Sequence, residues 1–237
     1  MKQNRLIRYT IWGILIICPW ILTSCDMFHE DLPECRLFVK FKYDYNMLFT
    51  DAFHTQVDKV ELYVFDKDGK FLFSQGEEGE ALATGNYQME VKLPIGEYQF
   101  LAWAGARDSY DIYTPRGENT ITDMRLRLKR EESLIISKEL EPLWYGYISD
   151  VDFTGTSHQT ETIDLIKDTN KIRFVFQGYS DSYIRAASGD NWNVNMNDYE
   201  YEIIESNGHL AYDNSLLEDD VLSFRGNKSG SVRPPGQ

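Results

Sequence analysis

Cysteine and basic residues are both scarce in this chain of 237 residues. It contains three cysteines, and its 24 Lys and Arg side chains face 38 Asp and Glu, a net charge of −14 at pH 7. An acidic surface repels the phosphate backbone of nucleic acids, so we expect no nucleic-acid partner. The same charge disfavours adsorption to anionic lipid head groups.

The N-terminal apolar segment is too short to cross a bilayer as a helix. Residues Ile11–Leu22 fall well short of the roughly 20 apolar residues that a spanning helix needs. The segment follows the basic residues Lys2, Arg5 and Arg8. A basic stretch followed by a short apolar stretch is typical of a secretory signal peptide.

The residues that end this apolar segment resemble the lipobox of bacterial lipoproteins. Leu22, Thr23 and Ser24 precede Cys25, where an ordinary signal would end in a small-x-small cleavage site. The resemblance implies cleavage before Cys25, diacylglycerol on its thiol and acylation of the new amino terminus. Two or more acyl chains anchor a protein stably where one does not. We therefore expect residues 1–24 to be a lipoprotein signal peptide and Cys25 to be the lipidation site; the alternative is an ordinary signal with an incidental cysteine.

Removal of the signal would make the chain more acidic and leave one unmodified cysteine. Residues 1–24 contain three basic side chains and no acidic ones, so 21 basic and 38 acidic residues would remain, a net charge of −17. Cys35 could then form no intramolecular disulfide, and we expect it to be a small buried apolar residue. An intermolecular bridge or a reactive thiol is the alternative for Cys35.

Short runs of β-branched and aromatic residues between turn signals predict an all-β fold. Residues 57–65 alternate apolar and other side chains, and Asp66–Gly69 predicts a turn into a second strand at 70–73. Further strands are predicted at 36–43, 87–93, 97–104, 125–129, 143–147, 160–167, 171–176, 199–204, 209–212 and 221–224. This spacing is typical of antiparallel β-sandwiches.

A polar break at Asp168–Asn170 predicts a domain boundary. We expect residues 25–35 to be a lipidated N-terminal tether, 36–169 a first β-sandwich domain and 170–226 a second β domain. The chain from Asn170 to residue 237 has only 68 residues, tail included, and a sandwich that small without a disulfide would be marginal, so we expect the second domain to be incomplete. Residues 227–237 contain Gly and Pro without a strand pattern, which predicts a disordered tail.

The sequence contains no recognisable pattern of catalytic or metal-binding residues. The four histidines lie on four separate segments, at His29, His54, His158 and His209. Asp66–Gly69 has part of a calcium loop, but Lys70 and Phe71 occupy positions that need an oxygen ligand and a glycine, so we interpret it as a hairpin turn. We expect no catalytic residue, no metal site and no cofactor beyond the covalent lipid on Cys25.

Aromatic residues make up 14% of the chain and allow two interpretations. Trp103, Trp144, Tyr145 and Tyr147 could form a platform on which sugars stack. Alternate aromatics also fill the core of a sandwich, and this is the interpretation that we favour. The alternative function, a surface glycan-binding lipoprotein, requires Trp144, Tyr147 or their neighbours to be exposed in one plane.

Three stretches of the chain resemble FimB-type fimbrial anchor proteins of Bacteroides-like bacteria, within the fimbrillin superfamily. They are Cys35–Asp66, with Tyr45-Asn46-Met47 and Asp51-Ala52-Phe53 inside it, then Leu93–Gly105 and Leu143–Gly146. The likeness extends over roughly residues 22–180. Acidic residues soon after Cys25 also look like a surface-export signal of such lipoproteins, at Asp26, Glu30 and Asp31.

The resemblance implies two transthyretin-like antiparallel β-sandwiches, lipidation in the outer membrane and a place at one end of a fimbria. Relatives in the superfamily polymerise by donating a strand to an open sheet edge of a neighbour. We therefore expect a non-enzymatic, surface-exposed outer-membrane lipoprotein that anchors a fimbria and limits its length. Its expected partners are fimbrial shaft or accessory subunits, contacted through β-strands.

The resemblance has different implications for strand donation at the two ends of the chain. The N-terminal strand, residues 36–43, is expected to stay in place, because cleavage there would release the anchor from its lipid. Family members run longer and end in apolar strands, whereas residues 229–237 lack the alternating apolar face that a donated strand needs. We therefore do not expect this C-terminus to donate a strand.

Overall fold

A computed structural model describes residues 34–174 and 199–226. Strands account for nearly all the regular structure, and the predicted all-β sandwich class is confirmed. In chain order they are β1 (Leu37–Lys42), β2 (Lys59–Asp66), β3 (Phe71–Glu78), β4 (Met89–Val91), β5 (Gly96–Ala104), β6 (Tyr110–Tyr113), β7 (Arg125–Leu128), β8 (Ile135–Ile136), β9 (Trp144–Phe153), β10 (Gln159–Asp164), β11 (Ile166–Lys167), β12 (Glu202–Glu205), β13 (His209–Ala211) and β14 (Leu222–Arg225).

Helical structure is limited to short segments in the described residues. One turn of α-helix, α1 (Phe53–Gln56), follows β1, and 3₁₀ turns lie at Leu82–Thr84 and Ile121–Asp123. The predicted signal peptide 1–24, its lipidation site Cys25 and the predicted tail 227–237 lie outside the described residues.

A five-stranded antiparallel sheet forms the middle of the fold, in the order β11-β9-β5-β2-β3. Three three-stranded sheets surround it, ordered β10-β1-β4, β13-β7-β6 and β12-β14-β8. Pairing is parallel between β1 and β10 and between β14 and β8, so the predicted purely antiparallel pattern does not hold at these two places. Parallel pairing joins strands far apart in sequence, which a local pattern does not reveal.

One face of the five-stranded sheet packs on the β10-β1-β4 sheet. Val60, Leu62 and Val64 of β2 point into this first core, as the alternation of the sequence predicts. The opposing sheet contributes the buried side chains of Leu37, Val39, Phe41, Met89, Val91 and Ile163. The two layers form a β-sandwich with an apolar interior.

The other face of the five-stranded sheet is buried as well. Tyr63, Phe65 and Trp103 point into a second core, where they meet side chains of the remaining two sheets. Those partners include Ile112, Leu126, Leu128, Ile136, Leu210, Leu222 and Phe224. Tyr63 lies on the face of β2 opposite Val60, Leu62 and Val64 and is nevertheless buried, because a sheet covered on both sides has no solvent face at this point.

The described strands after residue 170 pack on strands that precede it. In the predicted second domain, 170–226, β13 pairs with β7 and β14 pairs with β8. Leu210 and Leu222 share the second core with Leu126, and the described residues from Arg36 onward belong to one compact unit. Pairing with β7 and β8 therefore decides where these strands lie, rather than their position after the polar break.

The β2–β3 hairpin follows the predicted turn chemistry. Gly69 has a φ of 81°, and its N–H donates to the carbonyl oxygen of Asp66 at 3.0 Å. The Asp66 carboxylate accepts hydrogen bonds from the backbone N–H groups of Asp68 and Lys70, at 3.0 and 2.8 Å. An aspartate that caps its own turn in this way is typical of β-hairpins, so the hairpin interpretation is confirmed.

Some local predictions differ from the structure. β3 continues to Glu78, beyond the predicted strand at 70–73, and β6 was not predicted at all. Residues 171–174, expected to begin a strand, have no regular secondary structure. Edge strands such as β3 and β6 carry mixed side chains on their exposed faces, so their alternation is weak in the sequence.

Candidate functional site

The described residues contain no group of three or more His, Cys, Asp or Glu side chains that could hold a metal ion. Asp66, considered above as a calcium ligand, instead binds backbone N–H groups of its own turn. None of the helices in residues 34–174 and 199–226 has the length and apolar character needed to cross a membrane.

The aromatic residues do not form the proposed sugar platform. Trp103 and Trp144 are each 1% exposed, and Tyr145 is also buried. Trp144 lies in the first core, with Tyr43 edge-on at 5.9 Å, whereas Tyr147 packs against the second core on the opposite face of the sheet. The core interpretation is confirmed, and the requirement that Trp144 and Tyr147 share an exposed plane is not met.

Cys35 is exposed, so the expectation that it is buried was wrong. It lies two residues before Leu37, which is the first residue of β1 and is fully buried. Burial therefore begins where β1 joins the sheet. The thiol of Cys35 lies on the segment that connects the predicted lipidation site to the fold.

β1 is the strand that this segment enters, and it occupies the centre of its sheet. Six residues of β1 are in register with β10, and Leu37, Phe38 and Val39 are in register with β4. Leu37, Val39 and Phe41 are buried in the first core. Hydrogen bonds on both sides and burial of alternate residues fix β1 in place.

β3 offers an open edge of the five-stranded sheet. In the described part of the chain its one neighbouring strand is β2, apart from a single bridge between Lys70 and Thr120 at its start. β3 is eight residues long, and Leu72 is 42% exposed on it. The backbone groups on its outer edge can pair with a strand from another chain.

An exposed apolar loop connects β1 to α1, and sequence reasoning missed it. We define the apolar loop as residues 44–51. Within it, four side chains are largely exposed: Tyr45 (82%), Met47 (93%), Leu48 (63%) and Phe49 (93%). The available sequence signal was four apolar residues among five that follow neither a helical nor a strand period.

Comparison with known proteins places these surfaces in a family context. The sequence profile described as "Fimbrillin-A associated anchor proteins Mfa1 and Mfa2" matches residues 32–231. The minor fimbrium anchoring subunit Mfa2 of Porphyromonas gingivalis is 22% identical over 214 residues, which cover 86% of this chain and 62% of that protein.

Two crystal structures are similar to the fold. A protein from Bacteroides thetaiotaomicron, for which polysaccharide binding has been suggested, is 68% identical with a TM-score of 0.73, covering 81% of this chain and 65% of that one. The fimbrial anchor protein Mfa2 from Porphyromonas gingivalis is 18% identical with a TM-score of 0.60, covering 79% and 65%. This chain thus spans slightly less than two thirds of the length of these relatives.

Proposed function

Because this chain belongs to the family of fimbrillin-A associated anchor proteins Mfa1 and Mfa2, we propose that it holds a fimbria on the outer membrane. In this proposal Cys25 carries the lipid, residues 25–35 form the tether and the β-sandwich binds fimbrial shaft or accessory subunits. The anchor ends the polymer at the cell surface and so limits its length. Its role is structural and requires no catalysis.

The observation that carries this proposal is the central position of β1. The chain that contains Cys25 leads directly into Leu37, at the start of this strand. A pull on the lipid is therefore transmitted along β1, whose pairs with β10 and β4 resist it together. Leu37, Val39 and Phe41 would also have to leave the first core before the strand could slide. A mechanically loaded anchor needs this kind of attachment.

The open edge of β3 supports contact with a fimbrial subunit through strand pairing. A donated strand would extend the five-stranded sheet and satisfy the outward backbone groups of residues 71–78. Hydrogen exchange measured with and without purified fimbriae tests this assignment. Slower exchange in 71–78 on addition of fimbriae is expected, and slower exchange only at other strands would contradict it.

Electron microscopy of cells and culture supernatant tests the anchor function. We would compare the wild-type strain, a deletion strain, and the deletion strain complemented with Cys25→Ala or Cys35→Ala. Long fimbriae shed into the supernatant are expected for the deletion and for Cys25→Ala. Cys35→Ala is the matched control, because it removes an exposed thiol near the predicted lipidation site without removing the lipid.

Two results would contradict the proposal. Unchanged fimbriae in the deletion strain would show that the protein does not anchor them. Shedding by Cys35→Ala as well as Cys25→Ala would show that loss of either thiol disturbs the protein and that lipidation is not the cause. Fractionation of the same cells checks the anchor directly, since Cys25→Ala protein should leave the membrane fraction.

Glycan binding is a second candidate function, favoured by the 68% identical protein for which polysaccharide binding has been suggested. Since Trp144 is buried, a sugar would need another place. An open cleft of about 320 Å³ borders Lys59, Arg107, Tyr110 and Ile112. Binding of purified bacterial polysaccharides that is lost in Arg107→Ala would support this function.

A further inference from the structure

The apolar loop is held in one conformation by its own polar residues. The Asn46 side chain donates to the carbonyl oxygens of Tyr43 and Thr50, both at 2.8 Å, and its oxygen accepts the N–H of Leu48 at 2.8 Å. The Asp51 carboxylate accepts the N–H groups of Tyr43 and Phe53, each at 3.0 Å. These bonds fix the backbone on both sides of the apolar side chains.

Phe49 lies in a backbone conformation that is unfavourable for a large side chain. Its φ is 55°, a left-handed value that is uncommon in residues other than Gly, Asn and Asp. In this conformation its ring is 93% exposed. Because the ring is not buried, packing does not offset the backbone strain. Stability of the fold therefore does not account for phenylalanine at this position.

Four apolar side chains on one fixed loop are exposed to solvent. Burial of the two aromatic side chains alone would remove roughly 300 Å² from water. A patch of this kind on a protein surface marks an interaction site rather than a random exposure. Because the loop is already ordered, a partner would not have to restrict its backbone on binding.

Charge disfavours a bilayer as the partner. Asp44 and Asp51 are the first and last residues of the loop, and the nearby cation Lys42 is paired with Asp44. Loops that enter a membrane interface typically add basic residues that attract anionic head groups. The loop also lies at the end of β1 away from Leu37, where the tether enters, a distance of about 20 Å along the strand.

Charge also disfavours a second copy of this chain. Two such loops in contact would bring Asp44 and Asp51 of both copies together, in a protein whose net charge is −14. Like charges that meet at an interface weaken it. A different chain with an apolar groove avoids this repulsion.

We propose that the apolar loop, through Tyr45, Met47, Leu48 and Phe49, inserts into an apolar groove between the sheets of a neighbouring fimbrial β-sandwich subunit. This inference rests on the proposed anchor function and names a second surface of this chain, besides the open edge of β3, that a neighbouring subunit contacts. Met47 and Phe49, the two most exposed side chains, contribute most of the contact. The strained backbone of Phe49 is maintained for binding.

The test combines fimbrial retention with stability. The deletion strain is complemented with the wild-type gene, with Met47→Ser/Phe49→Asn, or with Ile95→Ser/Leu216→Ser as a matched control. Asparagine tolerates the left-handed backbone, and Ile95 and Leu216 are 68% and 62% exposed outside the loop. We expect the loop variant to melt at the wild-type temperature or higher, yet to shed fimbriae like the deletion strain. The control should retain them.

A binding measurement separates this inference from the anchor function. Purified lipoprotein is titrated with fimbriae sheared from the deletion strain, and the loop variant should bind at least about 30-fold more weakly than wild type or control. Suppose that the deletion strain sheds its fimbriae but the loop variant retains and binds them as well as wild type. This result would overturn the loop assignment and leave the anchor function standing. Failure of the deletion itself to shed would instead contradict the anchor function.

Two further measurements test the other possible binding partners of the loop, a bilayer and a second copy of this chain. In the first, the Cys25→Ala chain is sedimented with vesicles of phosphatidylethanolamine and phosphatidylglycerol. In the second, the mass of the same chain without vesicles is measured by light scattering. Sedimentation with vesicles that depends on Met47 and Phe49 would make the bilayer the partner and overturn the proposal. If the chain forms a dimer that the loop substitutions dissociate, the proposal would also be overturned, in favour of self-association.

Discussion

Arg130 and Asp219 form a two-pronged ion pair across 89 positions of sequence, with Nη1–Oδ1 and Nη2–Oδ2 distances of 2.5 and 2.9 Å. The Asp219 side chain is fully buried and that of Arg130 nearly so. Burial alone would raise the pKa of Asp219, but the hydrogen bonds and charge of Arg130 outweigh it and hold the pKa below its usual value. The pair ties the segment before β14 to the segment after β7.

Arg130→Met should lower the free energy of unfolding by about 3 kcal/mol, because the buried carboxylate of Asp219 would keep only its longer ion pair with Arg127, at 3.5 Å. Urea denaturation at pH 7 measures the loss. Since the pKa of Asp219 is depressed in the fold, the contribution is present at neutral pH and should shrink as the pH falls below the usual aspartate range. Arg225→Met is the matched control: its partner Glu202 is exposed, and the expected loss is below about 1 kcal/mol.

Gly105→Ala should destabilise the protein by more than about 2 kcal/mol. A methyl group at Gly105 would lie 2.0 Å from the carbonyl oxygen of Pro142, a backbone atom with little freedom to move. Gly117 has a similar positive φ, 68° against 73°, but nothing lies within 4 Å of its would-be methyl group. Gly117→Ala therefore isolates the backbone strain, about 1 kcal/mol. Equal losses in the two thermal melts would show that the close approach is unimportant.

Asp168 should make stability fall as the pH rises through about 6. Burial raises the pKa of Asp168 to about 6, although the hydrogen bond from the Asn214 side chain partly opposes the shift. The folded protein therefore holds a proton that the unfolded chain releases near pH 4. The resulting stabilisation, up to about 3 kcal/mol, is complete below pH 4 and lost as the pH rises through the folded pKa.

Substitutions on both sides of this contact check the assignment. Asp168→Asn should flatten the dependence of unfolding free energy on pH between 4 and 7, measured by chemical denaturation. Asn214→Gly keeps the left-handed backbone, since Asn214 has a φ of 64°, but removes the hydrogen bond that lowers the pKa. It should move the midpoint to higher pH. An unchanged slope in Asp168→Asn would assign the pH dependence to other groups.

Trp144→Ala should cost about 3–5 kcal/mol of stability, because Trp144 is 1% exposed in the first core. Tyr147→Phe, which removes only the hydrogen bond to Gln99 at 2.6 Å, should cost about 1 kcal/mol. Polysaccharide binding by purified folded protein should be the same for wild type and Tyr147→Phe. Loss of that binding without a loss of stability would show that the Tyr147 hydroxyl contacts the sugar, and the glycan-binding interpretation of these aromatics would return.

Features that depend on neighbours in sequence were predictable. The Asp66–Gly69 turn uses a side chain and a glycine within four residues, and β2 shows its period in Val60, Leu62 and Val64. Features that depend on distant partners were not. The pairing of β13 with β7 joins Leu210 to Leu126, and nothing near either residue in the sequence identifies the other.

The candidate surfaces divide in the same way. The lipidation site Cys25 was inferred from adjacent residues and stays a prediction. The open edge of β3 could be identified only once the order of the strands in its sheet was known, because a strand is an edge strand when it pairs on one side alone. The apolar loop was equally hidden, since Met47 and Phe49 look like core residues in a one-dimensional pattern.

The sequence by itself determined the acidic character of this protein, its strand-rich composition and its hairpin turn, because charge, side-chain period and turn chemistry are local properties. Only the tertiary structure decided that the five-stranded sheet is buried on both faces, that Trp144 is core and that Phe49 is exposed. Burial depends on which surfaces meet after the chain has folded. Two segments with the same apolar content can therefore have opposite roles, one filling a core and the other facing a partner.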